Sequence, residues 1–209
     1  MIFVAGQDAE KDGPIQMKDY LIKTLLEYRN ISEEDRQIIA SAFTLKHYKS
    51  GQWIFKAGQV ARHLVYINSG VLKITIPHPA ERDIVYYFME EHQFMTFLYS
   101  LSGNVPTQQG LQAATDGDIL EINTQDLNIL YQQLPYLKAT IDEIAQLSMA
   151  EMVTMKNNYL AGEALQKYAF FLNKQSNIAR QVALVDVASY LGITPQSLSR
   201  VRKKFVSNK

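Results

Sequence analysis

The 209-residue sequence predicts an α+β protein: a small antiparallel β-barrel or sandwich with helices before and after it, one long helix, and a small helical C-terminal module. Three observations carry this. Between Leu45 and Ile122, short β-branched and aromatic segments (WIFKAG, HLVYI, VLKITI, IVYYFM, DILEI) are separated by Gly, Asn, Pro and Asp turn signals about every 8–12 residues. From Pro135 to about Leu160, apolar residues recur at helical spacing with no further Gly or Pro. Charge is also unevenly divided. Residues 1–162 carry 13 basic and 19 acidic side chains, whereas residues 163–209 carry 8 and 2, so a body of −6 bears a C-terminal module of +6.

In chain order, residues 1–16 (MIFVAGQDAEKDGPIQ) lack periodicity and read as a flexible arm. Residues 17–43 hold two helical stretches. Leu21, Leu25 and Tyr28 mark one apolar face and Ile38, Ile39 and Phe43 another, while Ser32-Glu33-Glu34-Asp35 has the cap and acidic first turn of a helix start. The β segments follow, and residues 124–133 are helical again. The long helix restarts at Pro135 and carries Leu137, Ile141, Ile144, Met152 and Met155 on one stripe. That stripe either packs on the barrel or forms a seam with a second copy of the chain, and the narrow apolar face on so long a helix favours the seam. Gly162 reads as its C-terminal cap and hinge.

The absence of cysteine excludes disulfide scaffolds, cysteine-ligated zinc, iron–sulfur clusters and a cysteine nucleophile. No apolar run approaches the ~20 residues of a membrane span, and the N-terminus lacks a signal-peptide pattern, which together predict a cytoplasmic protein without membrane partners. Four histidines (47, 63, 78 and 92) offer no paired spacing for a metal or haem. A cupin-like enzyme would need His-x-His and a carboxylate on neighbouring strands. No catalytic or metal residue is therefore assigned, no cofactor is expected, and the enzyme reading ranks below a regulatory one.

The most specific signal is the twenty-residue run Leu184–Lys203. Val187, Leu191, Ile193, Leu198 and Val201 supply the small apolar core of a helix-turn-helix. Ala188 stands where two helices cross, and Gly192 where the turn needs a positive φ. Thr194 can cap the second helix and Pro195 occupies its first position. The outward residues are Gln196, Ser197, Ser199, Arg200 and Lys203. In a major groove Arg200 can pair with guanine and Gln196 with adenine or a phosphate, while Arg202, Lys203 and Lys204 neutralise phosphates.

Three stretches together resemble the cyclic-AMP receptor and fumarate-nitrate regulator (Crp/Fnr) family of bacterial transcription factors. They are Tyr48-Lys-Ser-Gly51-Gln-Trp-Ile54-Phe55-Lys-Ala-Gly58, Val65-Tyr-Ile-Asn68-Ser-Gly70-Val-Leu-Lys73 and Ala188-Ser-Tyr-Leu-Gly192-Ile-Thr-Pro195-Gln-Ser-Leu-Ser-Arg200. The last is similar to the branch common in Bacteroidetes. The resemblance implies a cyclic-nucleotide-binding-like sensory domain over residues 17–134, built as an antiparallel jelly-roll β-barrel, a dimerisation helix over 135–162 and a winged-helix-type helix-turn-helix over 163–209. It also implies a homodimer on an inverted-repeat operator in double-stranded DNA, with RNA polymerase as a further candidate partner. The alternative function is a ligand-binding regulatory protein without DNA binding.

In that family a Gly-Glu pair takes the ribose and an Arg-Ser or Arg-Thr pair the cyclic phosphate. The matching positions here are Gln93-Phe94-Met95-Thr96 and Thr107-Gln108, without the acid or the arginine. A buried phosphate without a cationic partner faces a large desolvation cost. The resemblance thus leaves a degenerate effector pocket around Phe94, Met95, Thr96, Thr107 and Gln108. Three readings of it stand: a pocket filled by Met95, Phe94 and Phe97, a site for another, less charged small molecule of unknown identity, or a nucleotide site.

Overall fold

The computed structural model describes residues 14–80 and 82–207. Two helices, α1 (Pro14–Leu26) and α2 (Glu33–Ala42), precede eight strands. These are β1 (Thr44–Tyr48), β2 (Trp53–Phe55), β3 (His63–Ser69), β4 (Leu72–Ile76), β5 (Ile84–Met89), β6 (Phe94–Met95), β7 (Gly110–Ala113) and β8 (Gly117–Asn123), with the short helix α3 (Leu98–Gly103) between β6 and β7. Six helices follow: α4 (Thr124–Gln133), α5 (Pro135–Ala161), α6 (Ala164–Lys174), α7 (Ser176–Gln181), α8 (Leu184–Leu191) and α9 (Pro195–Ser207). Residues 1–13 of the expected arm lie outside the described residues, and Pro14–Gln16 open α1, so this helix starts three residues before the expected Met17. Proline at the first helical position loses no hydrogen bond.

Of the two forms the strand spacing allows the structure has the sandwich, open and jelly-roll-like, and not the barrel that the resemblance implied. The strands form two antiparallel four-stranded sheets, ordered β1-β8-β3-β6 and β2-β7-β4-β5, and among the described residues no ladder joins one to the other. A sandwich follows when short strands stop at turns instead of wrapping around a closed ring. Those turns use glycine where the motifs place it: Gly51, Gly58 and Gly70 have φ near +85°. At Gly70 a Cβ would also stand 2.6 Å from the Asp116 carbonyl oxygen, so two turns meet there backbone to backbone.

Two apolar cores result. One fills the interior between the sheets and continues into the C-terminal helices. The other lies on the outer face of the first sheet, where Leu64, Tyr66, Leu120 and Ile122 meet Leu21 and Leu25 of α1, Ile39 of α2, Leu127 and Leu130 of α4 and the first half of α5. The first sheet is therefore covered on both faces. That explains why β3 reads as a continuous apolar run rather than an alternation.

The 27-residue α5 spans about 40 Å and has three different surroundings along its length. Leu137, Ile141 and Ile144 are buried in the second core, and Met155 and Tyr159 in the first. Between them the helix passes over a cavity. The seam drawn through Leu137, Ile141, Ile144, Met152 and Met155 is thereby corrected. Four of these five are buried by their own chain and Met152 is half-buried, because α4 and the sheet cover the stripe before a second copy could. The apolar residues that α5 leaves exposed are Leu147, Met149, Val153 and Leu160. Gly162 is the C-cap of α5 but with φ −98°, so its left-handed freedom is not used.

Beyond Gly162 the described residues form four helices and no strand, so the expected wing is absent from them.

Candidate functional site: the sandwich cavity and the C-terminal helix pair

The cavity, of about 410 Å³, lies between β6, α3 and the middle of α5. Its floor reaches Leu64 of the first sheet and Ile74 of the second, both buried, and its mouth is rimmed by the exposed Leu98, Tyr99, Met149 and Val153. Phe94, Met95 and Phe97, all buried, line this space. Thr96 also lines it and donates its hydroxyl to the His63 carbonyl at 3.1 Å.

Thr107 and Gln108 do not line the cavity. Thr107 is buried, with its hydroxyl committed locally. It accepts from the Tyr99 hydroxyl at 2.8 Å and donates to the Gln109 carbonyl at 3.1 Å. Gln108 is exposed, and its backbone N–H donates to the Tyr99 hydroxyl at 3.0 Å. The pair thus tethers α3 to the following loop. Gln109 faces the cavity instead. Ala145, Ser148 and Met149 of α5 also belong to the lining, which positions matching the family's nucleotide-binding pairs could not reveal because those lie outside α5.

Among the described residues the lining contains no Asp, Glu, Lys, Arg or His. Lys156, one turn beyond Met152 on α5, sits 4.5 Å from the Tyr86 ring centroid and 5.3 Å from that of Tyr190, and burial holds its ammonium below the usual lysine range. These residues do not fit the ribose and cyclic phosphate of a cyclic nucleotide, because a buried phosphate would have no cation and the ribose no carboxylate.

At the C-terminus, α8 and α9 are joined by a tight turn in which Gly192 has φ +64°. Ala188 has no exposed surface, and Val187, Leu191 and Leu198 are buried with it. The Thr194 hydroxyl accepts the Ser197 backbone N–H at 3.1 Å, capping a helix whose first residue is Pro195. The α9 surface divides cleanly. Leu198 is buried, Val201 and Phe205 pack beside it, and Phe205 meets the Tyr168 ring edge-on at 5.8 Å. Thr194, Gln196, Ser199, Arg200, Arg202, Lys203 and Lys204 are exposed, and Ser197 is half-buried at the cap.

The helix pair is anchored to the sandwich through α8. Lys73 of β4 points away from the interior that Ile74 enters, and α8 covers it there. Its ammonium donates to Asp186 Oδ2 at 2.8 Å, with both side chains about 5% exposed. Arg82, beside β5, reaches the other oxygen at 3.1 Å. The Val85 N–H on edge strand β5 donates to the Ser189 hydroxyl at 2.9 Å, so α8 also satisfies part of an open sheet edge. Tyr190 inserts between the two units, 5.0 Å from Phe88, 4.9 Å from Tyr159 and 5.9 Å from Phe171, ring centroid to centroid. Burial pushes its phenol far above the usual tyrosine range. Among the described residues no cluster of His, Asp and Glu could hold a metal, and no helix is long and apolar enough to cross a membrane.

No curated protein sequence matches the chain. The c-di-GMP responsive global regulator CLP of Xanthomonas campestris superposes with a TM-score of 0.68 at 16% identity, covering 85% of this chain and 93% of that one. FixK2 of Bradyrhizobium japonicum gives 0.68 at 13% identity over 79% and 85%. The catabolite activator protein of Thermus thermophilus gives 0.53 at 18% over 88% and 87%. Residues 45–134, the sandwich and α4, match the cyclic nucleotide-binding domain family, and over 79–88% of its length the chain has the fold of these three proteins.

Proposed function

We propose that this protein is a dimeric, sequence-specific DNA-binding regulator of the Crp/Fnr type, in which residues 17–134 sense, 135–162 dimerise and 163–209 read DNA as a helix-turn-helix. The observation that carries this is the exposed face of α9, which presents Gln196, Ser199, Arg200, Arg202 and Lys204 on a capped helix anchored through α8. Such a helix suits the major groove, with early residues at base edges and later ones at phosphates. The +6 charge of residues 163–209 supplies the sequence-independent attraction, and the −6 body keeps the rest of the surface off the backbone. The folds of CLP, FixK2 and the catabolite activator protein support a regulator rather than an enzyme.

Selection of bound sequences from random double-stranded DNA tests the reading. The expected product is an inverted repeat with half-sites about 34–36 Å apart, one per recognition helix. Equal affinity for selected and random DNA would overturn it.

The seam of the dimer falls on the exposed positions of α5. Met149, Val153 and Leu160 are spaced by four and seven residues, the spacing of a two-stranded helical contact. Val153→Asp is expected to give monomers at micromolar concentration by light scattering, because a charge in an apolar seam has no partner. Ile144→Asp, by contrast, is expected to destabilise the protomer itself, since Ile144 lies in the core. A dimeric Val153→Asp protein would place the seam elsewhere.

A further inference from the structure

The geometry points to the sandwich cavity as a binding site for an uncharged, mainly apolar small molecule, and not for a cyclic nucleotide. This assignment rests on the sensory role proposed for residues 17–134. A volume of about 410 Å³ falls within the ~300–1,000 Å³ typical of small-molecule sites. Four methionines, Met89, Met95, Met149 and Met152, contribute to the walls, and their flexible, polarisable side chains adapt to an apolar guest. Thr96, Ser148 and Gln109 add a few neutral hydrogen-bonding groups at separate points, enough to orient a ligand bearing a hydroxyl or carbonyl.

An anion is disfavoured because among the described residues no cation lines the space, and Lys156 is held over the Tyr86 and Tyr190 rings. A free cation is disfavoured by the absence of Asp and Glu from the lining. A second copy of α5 is not the occupant. It would meet Met149 and Val153 at the mouth, whereas the floor is formed by Leu64 and Ile74, each 2% exposed and beneath the α5 surface.

The probe for this site is N-phenyl-1-naphthylamine, a neutral apolar fluorophore, titrated into the full chain. One probe per chain at micromolar affinity is expected, unaffected by millimolar cyclic AMP. Ala145→Phe and Ser148→Phe, which fill the space from α5, are each expected to weaken it at least tenfold. Ile129→Gln, which removes an exposed apolar side chain from α4, is expected to leave it unchanged. Equal binding by the filled variants would mean surface adsorption and overturn the assignment, as would displacement by micromolar cyclic AMP. A structure of the wild-type protein with the probe decides the case independently of the variants: density against Leu64 and Ile74 supports the assignment, and density elsewhere overturns it. The DNA selection experiment reads α9 without any ligand, so failure of the regulator reading and failure of this one are separable.

Discussion

Asp186→Ala is expected to lower stability by about 3–5 kcal/mol, the usual loss when one partner of a buried ion pair is removed. The cost arises at Lys73. Its ammonium is about 5% exposed beneath α8 and would lose its 2.8 Å partner without gaining water. Arg82, whose side chain is 61% exposed, can turn to solvent and contributes little to the loss. The paired change Lys73→Met with Asp186→Leu is expected to recover most of the stability, because similar apolar groups carry no uncompensated charge. Urea unfolding followed by the fluorescence of the single tryptophan, Trp53 in the sandwich, and by circular dichroism for the helices measures both variants. The single variant is expected to separate the two transitions, with the helices melting first, since the lost contact joins the two units. An Asp186→Ala protein as stable as the wild type would show that the ion pair does not hold α8 to the sheet.

Arg200→Ala is expected to cost roughly 1–3 kcal/mol of DNA affinity per half-site, twice in a dimer, and to relax base preference at one position of each half-site. Arg200 is exposed two residues after the buried Leu198, early enough on α9 for its guanidinium to reach a guanine edge. Lys204→Ala, one turn later, is expected to weaken binding to all sequences alike and to flatten the salt dependence by about one unit per lost contact. Binding-site selection with each variant at two salt concentrations separates the two roles. An Arg200→Ala protein with unchanged preference and affinity would remove α9 from the groove.

The C-terminal helix pair was legible in the sequence because its determinants are local. The Thr194 cap reaches three residues, the Gly192 turn needs one backbone conformation, and Ala188, Leu191 and Leu198 meet across a single turn. Strands β2, β3, β4, β5 and β8 were legible for the same reason, as runs of β-branched and aromatic residues between turn signals. Strands β1, β6 and β7 were not. β6 has two residues, β7 reads GLQA, and β1 lies at a sheet edge with an irregular exposure pattern.

What the sequence by itself determined is therefore which segments are helical or extended, and the shape and charge of α9. Tertiary structure decided the rest. Periodicity shows that α5 has an apolar stripe but not what covers it, and the structure assigns Leu137, Ile141 and Ile144 to the protomer's own core. Composition shows a Lys and an Asp but not that residues 113 positions apart form one buried pair. Thr107 had the right place in the chain for a ligand contact, yet its hydroxyl is engaged by Tyr99 and Gln109. Local sequence sets the energies of turns, caps and helices, whereas burial and pairing depend on which distant surfaces exclude water together, and only the folded chain brings those surfaces into contact.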